Sequence, residues 1–187
     1  MTTLVLLRHG QTDWNLEHRY QGLTDIPLNS TGEQQAREAN KNLKGYRFDA
    51  VYCSDMDRAK TTARLALKGI FPFEEIRFDR RLRERSFGTY EGGPYDKDKM
   101  PPEYVSAMAA DPENYHFPEG ESLLDVEKRV RPFYDEVLER HPDETVLLVA
   151  HGTLLSIVRF IAANEPVLDK NRKRLNNAEP LVLTVGS

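Results

Sequence analysis

Arg8-His9-Gly10 and His151-Gly152 carry the side chains best suited to group-transfer chemistry, and each follows an apolar run. Thr3-Leu4-Val5-Leu6-Leu7 precedes the first, and Thr145-Val146-Leu147-Leu148-Val149-Ala150 precedes the second. Unbroken apolar runs of this length read as strands buried on both faces of a parallel sheet. Ligands bind at the carboxyl edge of such sheets, so Arg8, His9 and His151 are expected together at one edge. A lone loop histidine is more often structural than catalytic. Here the adjoining arginine disfavours protonation of the ring, so His9 is expected to be neutral and nucleophilic near pH 7. Gly10 lets the backbone turn closely past a ligand. A charged His151 would make a good donor to a phosphoryl oxygen.

Two further groups fit an anionic ligand. Arg58 falls in the first turn of a helix that follows the strand ending at Cys53-Ser54, so its charge and the positive helix end point to the same edge. Glu84, in Arg83-Glu84-Arg85, is a candidate general acid, because a bound phosphate would repel its ionised form and favour the protonated one. Neither GxGxxG nor GxxxxGK[ST] occurs, which argues against a nucleotide-binding loop. The histidines and acids show no ligand spacing such as HExxH, so neither a metal site nor a cofactor is expected.

The elements that must position these residues alternate between strand and helix. Strands are expected at Thr3–Leu7, Phe48–Cys53, Glu75–Phe78, Thr145–Ala150 and, at an edge, Leu181–Val185. Helices are expected from Ser30 to Leu43, with Ser30 and Glu33 as a capping box, from Asp55 to Leu67 with Ser54 as its cap, from Ser122 to Arg140 with a kink at Pro132, and from Thr153 to Ala163. Residues 14–29 read as loop. Residues 89–121 are rich in proline and glycine around one short helix at Glu103–Ala110, and about 93–121 is expected to be a lid insertion. The pattern predicts an α/β fold, a three-layer α/β/α sandwich on a mostly parallel sheet.

With 187 residues, the chain is expected to form a single domain over 1–187, burying roughly 70% of its unfolded surface. It carries 39% apolar and 30% charged residues. One cysteine, Cys53, precludes an internal disulfide and makes a reducing, cytoplasmic setting the expectation. No apolar stretch approaches membrane-spanning length. A net charge of −4 argues against a nucleic-acid surface, so an anionic ligand would have to be held by arginines focused in a cleft.

Taken together, these residues resemble the histidine phosphatase superfamily, which contains the cofactor-dependent phosphoglycerate mutases and many small phosphatases. Leu7-Arg8-His9-Gly10-Gln11-Thr12-Asp13-Trp14-Asn15 resembles its opening signature, and Gly22-Leu23-Thr24-Asp25-Ile26-Pro27-Leu28-Asn29 its next block. Ser54-Asp55-Met56-Asp57-Arg58-Ala59 is similar to the segment with the second phosphate arginine, with Asp55 where several relatives have proline. Leu82-Arg83-Glu84-Arg85-Ser86-Phe87-Gly88 resembles the block bearing the acid, and Ala150-His151-Gly152 the closing motif. Residues 93–121 and the segment after Asn164 match nothing assignable.

The resemblance implies a phosphoglycerate mutase-like fold and a metal-independent phosphatase. His9 would be the phosphorylated nucleophile and Glu84 the acid, while Arg8, Arg58 and His151 hold the phosphoryl group. Thr12, Asn15, Gln21, Gly22, Gly152 and Thr153 would bind substrate, a small phosphorylated metabolite. A homodimer is left open. The rival readings are a phosphoglycerate mutase and an idle phospho-ligand-binding domain. Between Gly93 and Glu121 there is no arginine, and Lys97 and Lys99 face Asp96, Asp98, Glu103, Asp111, Glu113, Glu119 and Glu121. Such an acidic segment is a poor clamp for a second anion, which favours hydrolysis over mutase chemistry.

Overall fold

A computed structural model describes residues 1–167 and 175–186. Strands β1 (Thr2–Arg8), β2 (Ala50–Cys53), β3 (Arg77–Phe78), β4 (Thr145–Ala150) and β5 (Pro180–Val185) form one sheet in the order β3-β2-β4-β1-β5. All neighbours run parallel except β5, which pairs antiparallel with β1 at the edge. The sheet is covered on both faces, as its apolar strands require. Leu4, Leu6, Tyr52, Val146 and Leu148 point to one side. There they meet Val126, Val130 and Phe133 of α5 (Leu123–Arg140) and Leu154 and Val158 of α6 (Gly152–Ala163). The alternate residues Val5, Leu7, Val51, Leu147 and Val149 meet Ala39 and Leu43 of α2 (Ser30–Leu43) and Ala59 and Ala63 of α3 (Asp57–Ala66). The period-two alternation of side chains thus separates two cores, giving the expected three layers.

Both caps that differ from the sequence expectation do so for tertiary reasons. Asn29, not Ser30, caps α2, accepting from Gly32 N at 2.9 Å. Its own amide groups donate to the backbone and side chain of Gln11, which anchors the cap one residue earlier. Ser54 does not cap α3, which starts at Asp57 after Met56. Its hydroxyl is engaged by His151 instead, at 2.8 Å. The stretch read as loop from residue 14 contains one helical turn, α1 (Asp13–Leu16), closed by reciprocal bonds between Thr12 and Asn15. The strand expected at Glu75–Phe78 shortens to two residues behind a 3₁₀ turn at Phe73–Glu75. Helix α5 continues through Pro132. Within residues 93–121, α4 (Pro102–Ala110) forms with no buried residue, while Phe117 packs inward at 2% exposure. Among the described residues no helix is long and apolar enough to cross a membrane.

Candidate active site

The strand register brings the two histidines together. Arg8 lies opposite Ala150 in the parallel β1–β4 pair, and His9 N donates to the Ala150 carbonyl at 2.9 Å. The first residues beyond both strands are therefore neighbours. The rings of His9 and His151 are 5.2 Å apart between centroids.

His9 is 2% exposed and sits in the wall of a cavity of about 360 Å³. Its Nδ1 lies 2.7 Å from the Gly10 carbonyl. A carbonyl can only accept, so Nδ1 carries the proton and Nε2 retains its lone pair. Burial holds its pKa well below the ordinary histidine value, reinforced by the charges of Arg58 and Arg8. The neutral, nucleophilic ring expected from sequence is what this environment favours, with burial the larger cause.

His151 is not the charged donor considered from sequence. It is fully buried, off the cavity surface, and burial followed by Arg58, His9 and Arg8 keeps its pKa well below the usual value. It is therefore neutral, not charged. Arg58 Nε donates to its Nδ1 at 3.2 Å, so the remaining proton is on Nε2 and is given to Ser54 Oγ. The ring orients Arg58 from behind.

Arg58 is fully buried in the cavity wall, and its guanidinium is held by three hydrogen-bond partners. Besides His151 it donates to the carbonyls of Gly22 at 2.8 Å and Thr24 at 2.9 Å. Gly22 has φ +56°, and a Cβ there would lie 2.0 Å from Glu91 Oε1, so a side chain would be strained and would push Glu91 off the Leu23 and Phe87 amides. Arg8 also lines the cavity and donates to the Leu175 carbonyl at 2.9 Å. A Cβ on Gly152 would lie 3.2 Å from Arg8 Nε, so this glycine makes room for the arginine.

Glu84 faces the same cavity, and its carboxylate is fixed by backbone donors. Oε1 accepts from Arg85 N at 2.8 Å and Leu154 N at 3.3 Å, and Oε2 from Thr153 N at 3.1 Å. The amino end of α6 thus holds the candidate acid. Asp55 tethers the same segment through a two-pronged pair with Arg83 at 2.7 and 2.6 Å. That pairing keeps the Asp55 carboxyl below its usual pKa.

Of the residues expected to bind substrate, Asn15, Gln21, Gly22, Gly152 and Thr153 line the cavity. Thr12 does not. It is fully buried and positions Asn15 through the α1 cap. Gln21 is 7% exposed, and its amide oxygen has no partner among the described residues, so it is a buried polar group open to a ligand. Arg19, Tyr20, Phe87 and Tyr95 complete the wall and were not anticipated. Tyr20 and Phe87 lie beside recognised motif residues, but an aromatic side chain there reads equally well as core. Asn177, in the unmatched segment before β5, donates to the His9 carbonyl at 2.8 Å, and no sequence signal marked it. Among the described residues no cluster of three or more histidine, cysteine or acidic side chains could hold a metal ion.

The neutral histidines carry a pH signature. Both titrate near 6.5 when unfolded and well below that when folded. Below about 6.5 the unfolded chain therefore binds more protons, and stability falls as pH drops toward the folded pKa values. Urea denaturation from about pH 7.5 to about pH 5 should show a loss that is smaller in His151→Asn than in wild type. Equal losses in the two proteins would mean that His151 is not neutral in the fold.

Comparison with known proteins places this constellation in context. The family model described as the histidine phosphatase superfamily (branch 1) matches residues 4–186. The uncharacterized phosphatase PhoE of Bacillus subtilis is 34% identical, covering 92% of this chain and 83% of the relative. A 2,3-bisphosphoglycerate-dependent phosphoglycerate mutase of Brucella melitensis is 35% identical, with 96% and 90% covered. The structure of a mycobacterial glucosyl-3-phosphoglycerate phosphatase in complex with VO3 superposes with a TM-score of 0.85 at 33% identity, covering 97% of this chain and 92% of that one.

Proposed function

The chain belongs to the histidine phosphatase superfamily, and within it we propose that this protein hydrolyses a small phosphomonoester through a phosphohistidine on His9. Relatives named as phosphatases and as phosphoglycerate mutases support phosphatase or mutase activity in general. The observation that carries the finer reading is the state of His9. Its Nε2 lone pair is free, and its ring shares one cavity with two arginines and a glutamate.

The chemistry follows from that arrangement. Arg8 and Arg58 neutralise the phosphoryl oxygens, and Nε2 attacks phosphorus in line with the departing alcohol. An N–P bond forms as the P–O bond to the alcohol breaks, and protonated Glu84 gives its proton to the leaving oxygen. The resulting carboxylate takes a proton from water as the water oxygen attacks phosphorus. The N–P bond then breaks, releasing inorganic phosphate and restoring neutral His9 and protonated Glu84. His151 keeps the Arg58 fork in place, and Gln21 and Asn15 offer amides to the substrate.

A mutase would need to retain the phosphoryl group against water and to grip a second anionic end. The acidic balance of residues 93–121 opposes that grip, and Glu17, Asp96 and Asp98 outnumber Lys99 around a second cavity that shares Tyr95 with the first. With 3-phosphoglycerate and bisphosphoglycerate in one tube, phosphate release should exceed formation of 2-phosphoglycerate. Isomerisation much faster than release would establish the mutase reading in its place.

A further inference from the structure

Resting on the phosphatase reading, we propose that the outer part of the cavity is a binding site for an uncharged aromatic or similarly broad apolar group. Preferred substrates are then phosphomonoesters of ring-bearing alcohols or phenols with a single anionic end.

The cavity has two chemically distinct parts. Arg8, His9, Arg58 and Glu84 supply the reacting and charged groups and Asn15, Gln21 and Thr153 further polar wall, while Tyr20, Phe87 and Tyr95 add ring surface. These rings are already packed against one another, with Tyr20 4.5 Å from Phe87 and 5.8 Å from Tyr95 between centroids. Phe117, itself 2% exposed, backs them edge-on at 5.2 Å from Tyr20 and 5.1 Å from Phe87. The backbone is braced as well. Tyr20 N donates to the Gly93 carbonyl at 2.9 Å, Gly92 N to Tyr20 O at 2.8 Å, and Tyr95 N to His18 O at 3.0 Å. The aromatic surface is therefore organised before any ligand arrives, so little ordering cost falls on binding. Rings presented in this way favour an apolar face or another ring.

A charged leaving group finds less. Among the described residues the remaining cation in the wall, Arg19, stacks on Trp14 at 4.5 Å, donates through Nε to the Gly92 carbonyl and pairs with Glu17 at 3.0 Å. Beyond Tyr95 the adjoining cavity carries Glu17, Asp96 and Asp98 against one cation among its described lining, Lys99, which pairs with Asp96 at 3.7 Å, so its balance is acidic. Among the described residues, a carboxylate or second phosphate on the leaving group would meet an arginine already paired with Glu17 and, beyond Tyr95, the unpaired excess of Asp98. An uncharged ring would bury apolar surface against three others.

Benzyl phosphate and ethyl phosphate separate this wall from the chemistry, because both release primary alcohols of comparable leaving ability. Wild-type kcat/KM should be about tenfold or more higher for benzyl phosphate, mainly through KM. It should also exceed that for 3-phosphoglycerate. Tyr20→Ala should lower the benzyl phosphate value about tenfold more than the ethyl phosphate value, whereas Tyr20→Phe, which keeps the ring, should preserve the preference. If Tyr20→Ala fails to fold, Tyr95→Ala provides the same comparison from the other side of the wall. Equal efficiencies for the two esters in wild type, with turnover still dependent on His9, would overturn this inference and leave the phosphatase reading standing. Absence of phosphate release from every ester would instead remove the phosphatase reading, and this inference with it.

Discussion

Replacing His9 with alanine should reduce phosphatase turnover by about 10⁴-fold or more and abolish the covalent phosphoenzyme. The expected size reflects the lack of a substitute nucleophile among the described residues around the cavity. His151 is the other imidazole nearby, but it is fully buried and off the cavity surface, with one nitrogen accepting from Arg58 and the other donating to Ser54. Rotating it toward substrate would abandon both bonds and release Arg58 from its cradle. Rapid quench with labelled substrate should trap an acid-labile, base-stable adduct in wild type and none in His9→Ala. Removing the ring from β1's end leaves the strand register intact, because His9 N and O are held through the backbone by Ala150 and through the side chain of Asn177. A folded His9→Ala protein that still formed the adduct would show that the nucleophile lies elsewhere.

Glu84→Gln should slow turnover by about 10²- to 10⁴-fold for esters with poor leaving groups. Alkoxides depend on the proton that Glu84 supplies, whereas a nitrophenolate leaves without it. The first step of aryl phosphate hydrolysis should therefore be much less affected, and single-turnover measurements isolate that step. Structural damage must be separated from chemistry, since both oxygens of Glu84 accept backbone N–H groups. The amide nitrogen of glutamine would oppose one of those donors, at a cost of about 1–3 kcal/mol in stability. Misplacement of the cavity wall would slow both ester classes alike. Loss confined to the poor leaving groups identifies proton donation, and equal losses in phosphorylation would remove Glu84 from the acid role.

Much of this arrangement is written in local sequence. The apolar runs ahead of Arg8 and His151 can only be satisfied as strands covered on both faces, and the structure buries Leu4 to Leu7 and Val146 to Ala150 completely or almost so. Arg58 follows from the short step between the end of β2 and the start of α3. Glu84 was recognisable by its neighbours in a family-like block. Gly10 marked a place where the backbone passes other groups closely, and a Cβ there would lie 2.3 Å from the Gly32 carbonyl oxygen. Such features depend on residues close together in the chain, so their pattern is visible without knowing the fold.

Protonation and orientation were not legible in the same way. Whether His151 is charged depends on burial and on Arg58 and His9, which lie 93 and 142 positions away in sequence. Ser54 looked like a helix cap because its competing partner, His151, is 97 residues distant. Thr12 looked like a ligand contact, but local capping turned it inward. Tyr20, Phe87 and Tyr95 form one wall only because the segment around Gly93 pairs with the one around Arg19, two stretches whose individual sequences give no sign of pairing. The sequence by itself determined the main strands and helices and which chemical groups they bring to the carboxyl edge of the sheet. Only the tertiary structure decided which ring nitrogen is free, which charges are compensated and which apolar side chains face a ligand, because electrostatics and desolvation act between groups that are neighbours in space.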